Sequence, residues 1–407
     1  MLDLQFIISF YNLFFNSILS IMAVVLFDAA SRAKLYPLTY TKAVAELRFG
    51  IFSIQERWQQ LLQDDIFIET EPYLQSLYSS FAEGVHTWIN ACALPSADLV
   101  DKIKKAQQGD VYEDENGIIA CKGWGKNITD ALENAAMNFI TINKVNWLHY
   151  PHQILHWNEV FIQLDFNFIT KNKTSQPLSF TNRCVHQKNI FIEEGASVEF
   201  SIINAEKGPV YIGKNATVME GCLLKGPLVI GENAVVKMGS KLYGATAIGL
   251  HCTVGGELKN VVMQSHSNKA HDGYLGDSII GEWCNLGAGA SNSNVKNTAG
   301  DILLWNGFDN DYINVGNKFG VVMGDYTRVA INSSINTGSV YGVSCNVFGT
   351  GLLPARLHNF CWGVNGEKYQ FSKAIQHIKQ WKNFKQQKIT DEEEYVLKYI
   401  FDNFINR

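Results

Sequence analysis

The chain contains no CxxC pair. Its eight cysteines are scattered, which removes the spacing that most often marks a zinc or dithiol site and suits a reducing compartment, so a cytoplasmic protein is expected. An excess of positive charge is also missing. A net charge of −5 and an isoelectric point near 6.1 provide no electrostatic footing for nucleic acid. Residues 4–27 carry no charge at all, and on length alone that is a membrane-span candidate. Gln5, Asn12 and Asn16 interrupt it, no Lys or Arg precedes it, and its end, Val24-Val25-Leu26-Phe27-Asp28, reads as the first buried strand of a domain. Residues 1–21 are therefore read as an extension ahead of a start at Met22, and a membrane is not an expected partner.

What is present is a period. Ile212-Gly213-Lys214-Asn215-Ala216-Thr217, Ile230-Gly231-Glu232-Asn233-Ala234-Val235 and Ile248-Gly249-Leu250-His251-Cys252-Thr253 share one six-residue pattern, with leading residues 18 apart. Met323-Gly324-Asp325 and Tyr341-Gly342-Val343 open two later copies, again 18 apart. A fixed repeat of this kind signals a solenoid, here a triangular parallel β-coil with three hexads to a turn. The leading aliphatic residue points into a dry core, a small residue such as Cys222, Cys252, Cys284 or Cys345 fills the space beside it, and Gly or Asn takes the corners where φ is positive. Coils stack at about 4.8 Å. Periodicity alone does not fix the hand, and the rule for parallel crossovers points to a right-handed coil.

With 407 residues, 46% apolar and 18% charged, the chain has room for two or three folded domains. From 23 to about 185, short apolar runs alternate with helical patterns, which predicts an α/β domain. Helices are expected over 53–62, 95–107 and 129–140, and strands over 23–27, 66–69, 87–92, 117–121 and 159–169. His149, His152 and His156 mimic metal spacing on a helix, but Pro151 breaks it, so they are read as loop or packing histidines. Two amphipathic helices, 372–387 and 391–404, follow the last hexad. The second opens on the capping box Thr390-Asp391-Glu392-Glu393, and both are expected to close the open end of the coil.

Between the two sets of hexads lies the stretch 254–294, where a polar loop carries Lys259, Lys269, His271 and Tyr274. Here Glu257-Leu258-Lys259, His271 followed three residues on by Tyr274-Leu275-Gly276-Asp277, Cys284-Asn285-Leu286-Gly287-Ala288-Gly289, Asn294, and Asn317-Lys318-Phe319 together resemble the bifunctional N-acetylglucosamine-1-phosphate uridyltransferase / glucosamine-1-phosphate acetyltransferase family. The resemblance implies a left-handed parallel β-helix working as a homotrimer on a small-molecule sugar phosphate, with acetyl-CoA as co-substrate. It further implies that His271 is the catalytic base, that Lys259 and Lys318 hold the sugar phosphate, that Tyr274 and Asn285 contact the sugar, and that Asn294 lies near the acetyl donor. Asp272 and Asp277 are the candidates for orienting the imidazole, and Lys269 is read as a solvated loop charge. Val295 stands where the family keeps a tyrosine, and roughly 20 additional residues separate Asn294 from Asn317.

Nearer the start, Phe27-Asp28-Ala29-Ala30-Ser31-Arg32-Ala33-Lys34-Leu35-Tyr36-Pro37-Leu38-Thr39 resembles the phosphate-wrapping signature of sugar nucleotidyltransferases, stripped of its glycines. Val44 replaces an expected lysine, with Lys42 close by, and Cys92 sits where a metal-binding Asp belongs. Phosphoryl transfer needs a cation for the developing charge, so the domain is read as inactive or altered in its chemistry, with nucleotidyl transfer from a nucleoside triphosphate with Mg2+ kept as a second activity. Arg32, Lys34, Lys42 and Arg48 are the candidate nucleotide or anion cluster. The expected organisation is an extension (1–21), a nucleotidyltransferase-like α/β domain (22–185), a left-handed β-helix acyltransferase domain (186–358) and a C-terminal helical cap (359–407). Two other readings stay open: a non-catalytic trimeric scaffold for sugar phosphates or nucleotide sugars, and a γ-carbonic-anhydrase-like zinc enzyme built on the His266 and His271 spacing, which needs a third histidine from elsewhere because His251 at its hexad corner is read as pointing outward. The favoured reading has no metal ligands in the β-helix.

Overall fold

The computed structural model describes residues 22–133 and 138–404; the extension expected at 1–21 lies outside them. The chain forms two compact units. One runs up to Ala29 and resumes over Gln55–Trp147, and the other joins Ala30–Ile54 to Leu148–Arg407. The segment Ala30–Ile54 and residues 148–185, which the sequence boundary at 185 placed with the α/β domain, thus group with the coil.

The first unit is built on a six-stranded sheet. Its strands are β1 (Val24–Phe27), β2 (Ile66–Glu69), β3 (Gly84–Asn90), β4 (Asp110–Asp114), β5 (Gly117–Gly125) and β6 (Asn138–Thr141), in the order β2-β1-β3-β5-β4-β6. β1 pairs in parallel with β2 and β3, β5 runs antiparallel to β3 and β4, and β4 pairs in parallel with β6. Val25, Phe27, Trp88, Val111 and Cys121 form its buried core. Helix α1 (Ile54–Leu62) lies where expected. Helix α2 (Ala97–Lys105) starts at Ser96, whose Oγ accepts from Leu99 N–H at 3.2 Å. The helix expected over 129–140 is shorter: α3 covers Ile128–Glu133, and Asn138–Thr141 pairs with β4 as a strand, so a backbone ladder prevails there over helical pattern.

The second unit is a left-handed parallel β-helix of about ten turns, the hand the resemblance implies and opposite to the crossover rule. The hexads stack in register: Ile212 on Ile230, Ile230 on Ile248, Ile248 on Met263, Met263 on Ile280, Ile280 on Met323 and Met323 on Tyr341. Inward aliphatic residues and Cys222, Cys252, Cys284 and Cys345 share one continuous core. Each fully buried aliphatic side chain there contributes roughly 1.5–3 kcal/mol, so every coil adds its own increment. One corner is a column of left-handed residues, Asn215, Asn233, His251, His266, Trp283, Tyr326, Ser344 and Phe360, with φ between 54° and 63°. Asn suits that conformation, whereas the larger residues hold it because the coil above and below leaves no alternative.

Between Ile248 and Met263 the repeat tightens to 15 residues. The polar stretch is therefore a short coil rather than a loop thrown out from the stack. Glu257–Met263 and Tyr274–Ile280 are continuous strands that turn a corner at Asn260 and Asp277, whose φ values are 54° and 46°.

A strand expected over 159–169 is instead part of helix α4 (Gln153–Thr170). Ile154, Leu155, Phe161, Ile162 and Phe166 are buried, a helical spacing masked in sequence by the local wealth of aromatic and β-branched residues. The helix lies on one face of the coil against Phe191, Tyr211, Val229 and Ala247. Two buried polar side chains fix it. Asn158 donates to Ala245 O at 2.6 Å and accepts from Gly50 N–H at 2.8 Å, while Asp165 accepts from Ile51 N–H at 2.9 Å.

After the last coil come α5 (Phe371–Phe384) and α6 (Asp391–Asn403), the latter with the expected capping box between Thr390 and Glu393. Only α6 meets the expectation of an end cap, with Phe401 against Phe360. Helix α5 runs back along the stack. Phe371 meets Phe360 at its start, and at its end Lys385 donates to His251 O (3.1 Å), His266 O (2.9 Å) and Asn268 Oδ1 (2.9 Å). Fourteen helical residues span about 21 Å and five coil steps about 24 Å, so the helix length matches the flank it covers.

Candidate active site

His271 is exposed at the turn that follows Asn268–Lys269. With Asn285 from the next coil it lines a cleft of about 510 Å³, closed on the far side by Trp381, Phe384 and Lys385 of the α5 end. Lys269, read from sequence as a solvated charge, is fully buried. It pairs in register with Val254 and occupies an inward position of the coil. Its ammonium donates to Gly255 O at 3.3 Å and to His271 O. Burial lowers its pKa to about 8, with Asp272 opposing the shift. The reason for an ammonium in an aliphatic stack is thus visible: it grips the carbonyl of His271 and fixes the turn that presents the imidazole.

A second group assembles around the adjoining strand. Asn294 donates to Tyr274 Oη at 3.2 Å and to Asp277 Oδ2, and Asn260 donates to Asp277 Oδ1 at 2.7 Å. Asp277 is therefore held by two amides, which leaves Asp272 as the acid on the His271 turn. The Tyr274 ring folds back over Gly276, where a Cβ would lie 2.3 Å from the phenol oxygen, so a glycine is required there. Burial raises the Tyr274 pKa, and the hydrogen bond with Asn294 opposes it. Lys259 pairs with Gly276 and, one coil back, with Tyr243, placing it beside this network.

The additional residues before Asn317 form an antiparallel hairpin, Leu303–Asn306 with Asp311–Asn314. Trp305 packs under the Arg356 guanidinium at 3.9 Å, and Asn306 Nδ2 donates to Lys34 O at 2.8 Å. The chain then returns to its starting point: Phe319 N–H donates to Asn294 O at 3.0 Å, and Gly320 N–H to Asp277 O at 2.8 Å. Lys318, exposed and one residue before Phe319, is thereby brought next to Asn294 despite the insertion.

The four cations proposed as an anion cluster are engaged elsewhere. Arg32 is buried and donates to Thr39 O and, at 3.2 Å, to Lys42 O, while Thr39 Oγ1 donates to Arg32 O at 3.0 Å. Lys42 is buried between Asp325 and Glu282, each at 2.9 Å, and Thr41 donates to Asp325 at 2.6 Å. Burial alone would lower the Lys42 pKa, but the two carboxylates reverse this and hold it above the ordinary lysine value. Lys34 lies 5.3 Å over the Tyr150 ring, and Arg48 Nη1 donates to Ile51 O at 2.6 Å. The Arg-Pro-Leu-Thr segment thus braces the chain against the coil.

In the first unit Cys92 is buried, with its N–H on Asn90 Oδ1 at 3.0 Å. A buried cysteine sulfur does not suit a magnesium ion, which takes oxygen ligands. Among the described residues no group of three His, Cys, Asp or Glu side chains could hold a metal. His266 lies between the His251 ring (4.8 Å) and the Trp283 ring (4.4 Å), and burial, with His251 and nearby lysines adding to it, lowers its pKa to about 4. Among the described residues of one chain the zinc reading therefore has no ligand set. No helix among the described residues is long and apolar enough to cross a membrane.

Comparison with known proteins agrees with the first part of the chain. Residues 24–174 match the family model described as sugar nucleotidyl transferase, so this segment is similar to such transferases. No curated protein matches the chain. Among solved structures, Arabidopsis UDP-N-acetylglucosamine acyltransferase aligns at 13% identity over 56% of this chain and 90% of its own, with a TM-score of 0.19.

Proposed function

We propose that the chain transfers the acetyl group of acetyl-CoA to the amine of an amino-sugar 1-phosphate. The observation that carries this is the pairing of two built features on adjoining segments: a histidine whose turn is clamped by a buried lysine at a cleft, and the Tyr274–Asp277–Asn294 network flanked by Lys259 and Lys318. A sugar amine is protonated at neutral pH and becomes a nucleophile only after losing a proton, a task suited to imidazole. His271 takes that proton, and the amine nitrogen attacks the thioester carbon. The tetrahedral intermediate collapses with loss of the CoA thiolate, the nitrogen sheds its second proton to solvent to leave the neutral amide, and the imidazolium returns its proton to the thiolate. Asn285 borders the same cleft and orients the sugar, Lys259 and Lys318 meet its phosphate, and Asn294 sits towards the donor. The acting form is taken to be a homotrimer. Ile202 and Leu223, cross-strand partners that both stand exposed on the coil, support contact between copies, and sedimentation reads the state.

The match over residues 24–174 favours a second reading, in which that segment binds a nucleotide sugar without turnover or carries out nucleotidyl transfer. The internal engagement of Arg32 and Lys42 and the burial of Cys92 weigh against phosphoryl transfer. The deciding experiment measures thiol release from acetyl-CoA with glucosamine 1-phosphate and galactosamine 1-phosphate, beside pyrophosphate release from nucleoside triphosphates with Mg2+ and a sugar 1-phosphate. Thiol release without pyrophosphate supports acetyl transfer. Pyrophosphate alone supports nucleotidyl transfer, and binding without either product supports the scaffold.

A further inference from the structure

The His271 cleft does not end at Asn285. On the outer face of the coil, Thr253, Asn268, Asn285, Arg328 and Asn346 form one column in register. A second cleft of about 500 Å³ continues along it, sharing Trp381 and Phe384 with the first and lined by Arg328, Asn346, Tyr369, His377 and Gln380. Arg328 is the anomaly in this groove. Its Nη1 donates to Tyr326 O at 3.1 Å, but Nε and Nη2 are shielded from solvent without a hydrogen-bond acceptor among the described residues. Its guanidinium lies 5.5 Å from the Trp381 ring centroid. No carboxylate lines this cleft.

A shielded cation is normally paired, because leaving it alone forfeits hydration without compensation. The Nε–Nη2 edge is the flat two-donor fork that fits two oxygens of one oxyanion. Asn346 and Gln380 line the same cleft and add neutral amide donors, more than a carboxylate uses and suited to the extra oxygens of a phosphate, while the Tyr369 hydroxyl is bonded to His377 Nδ1. We infer that Arg328 is the recognition element of a phosphate-binding site beneath α5, in the same groove as His271. The site stands on its own geometry. Combined with the acetyltransferase reading, it receives a phosphate of whichever substrate reaches past Asn285. Since neither nitrogen is open to water in the free protein, an anion reaches them as the side chains over the groove give way, and Trp381 is the natural reporter.

The test titrates the full chain with inorganic phosphate against chloride at matched ionic strength and follows tryptophan fluorescence. Trp381→Phe assigns the signal, and thermal shift provides a second readout. The expected result is a saturable phosphate response that weakens at least tenfold in Arg328→Met and partly in Arg328→Lys, which keeps the charge but loses the fork. His271→Ala should keep the response whether or not acetyl transfer exists, so the two ideas fail separately. Competition by coenzyme A assigns the phosphate to the donor, and competition by glucosamine 1-phosphate to the acceptor; either supports the site. Absence of a saturable response, or an equal response in a folded Arg328→Met, overturns it.

Discussion

Replacing Lys269 by Met gives the sharpest test of how the His271 turn is held. Methionine matches the length and apolar stem of lysine but removes the ammonium that donates to Gly255 O and His271 O. In the folded chain Lys269 titrates near 8, against 10.5 for an ordinary lysine. A folded-state value below the unfolded one means that the unfolded chain holds more protons between pH 8 and 10.5, so stability rises with pH across that window and the penalty is fully present below it. At 1.36 kcal/mol per unit, moving from pH 7 to pH 10 relieves roughly 2 kcal/mol. The variant has no such group, and all other titrations cancel in the difference. Denaturant unfolding of both proteins at pH 7 and pH 10 should therefore show the wild type gaining about 2 kcal/mol relative to Lys269→Met. Acetyl transfer at pH 7 should fall in the variant, because the His271 carbonyl has lost its donor. Parallel stabilities at the two pH values, or unchanged turnover, would refute the assignment of Lys269 as the buried positioning group.

Other outcomes follow from the same contacts. Lys42→Met leaves Asp325 buried without its counter-charge and should lower stability by about 3–5 kcal/mol, read by denaturation; a loss under 1 kcal/mol would mean that water already reaches the pair. Asn158→Ala removes one amide that serves both Ala245 O and Gly50 N–H and should destabilise the chain by about 1–3 kcal/mol. Asn294→Ala strips a donor from Tyr274 and from the buried Asp277 and should reduce kcat/KM about tenfold or more while lowering stability by about 1–3 kcal/mol. Truncating the hairpin tip over 307–310 should leave the coil's unfolding transition intact, whereas Gly320→Ala should not, because its Cβ would lie 2.2 Å from Gly276 O.

The coil was legible because its period is enforced by geometry. Ile212, Ile230 and Ile248 must stack, and a left-handed corner accepts Asn215 and Asn233 readily. The hand was not legible from period or crossover rule. The burial of Lys269 was in principle readable, since Met263-Gln264-Ser265-His266-Ser267-Asn268-Lys269 follows the frame of Ile248 to Val254, putting Lys269 in an inward slot. Charge outweighed register in that reading. Helix α4 was mistaken for a strand because its buried face is aromatic and branched. The fate of Lys42 was out of reach, since it depends on Asp325 and Glu282, more than 200 residues away in the chain. The same holds for the groove under α5, which joins residues from 253 to 385 that no local pattern connects.

His271 is assigned as the base for acetylation of a sugar amine. Mass analysis of the product formed from acetyl-CoA and glucosamine 1-phosphate, with wild type beside His271→Ala, tests it most directly. The expected product carries a single acetyl group on nitrogen and forms about 10²–10⁴-fold more slowly with the variant. A product that forms equally well without His271, or no acetylated product from any amino-sugar phosphate with the folded wild type, would contradict it.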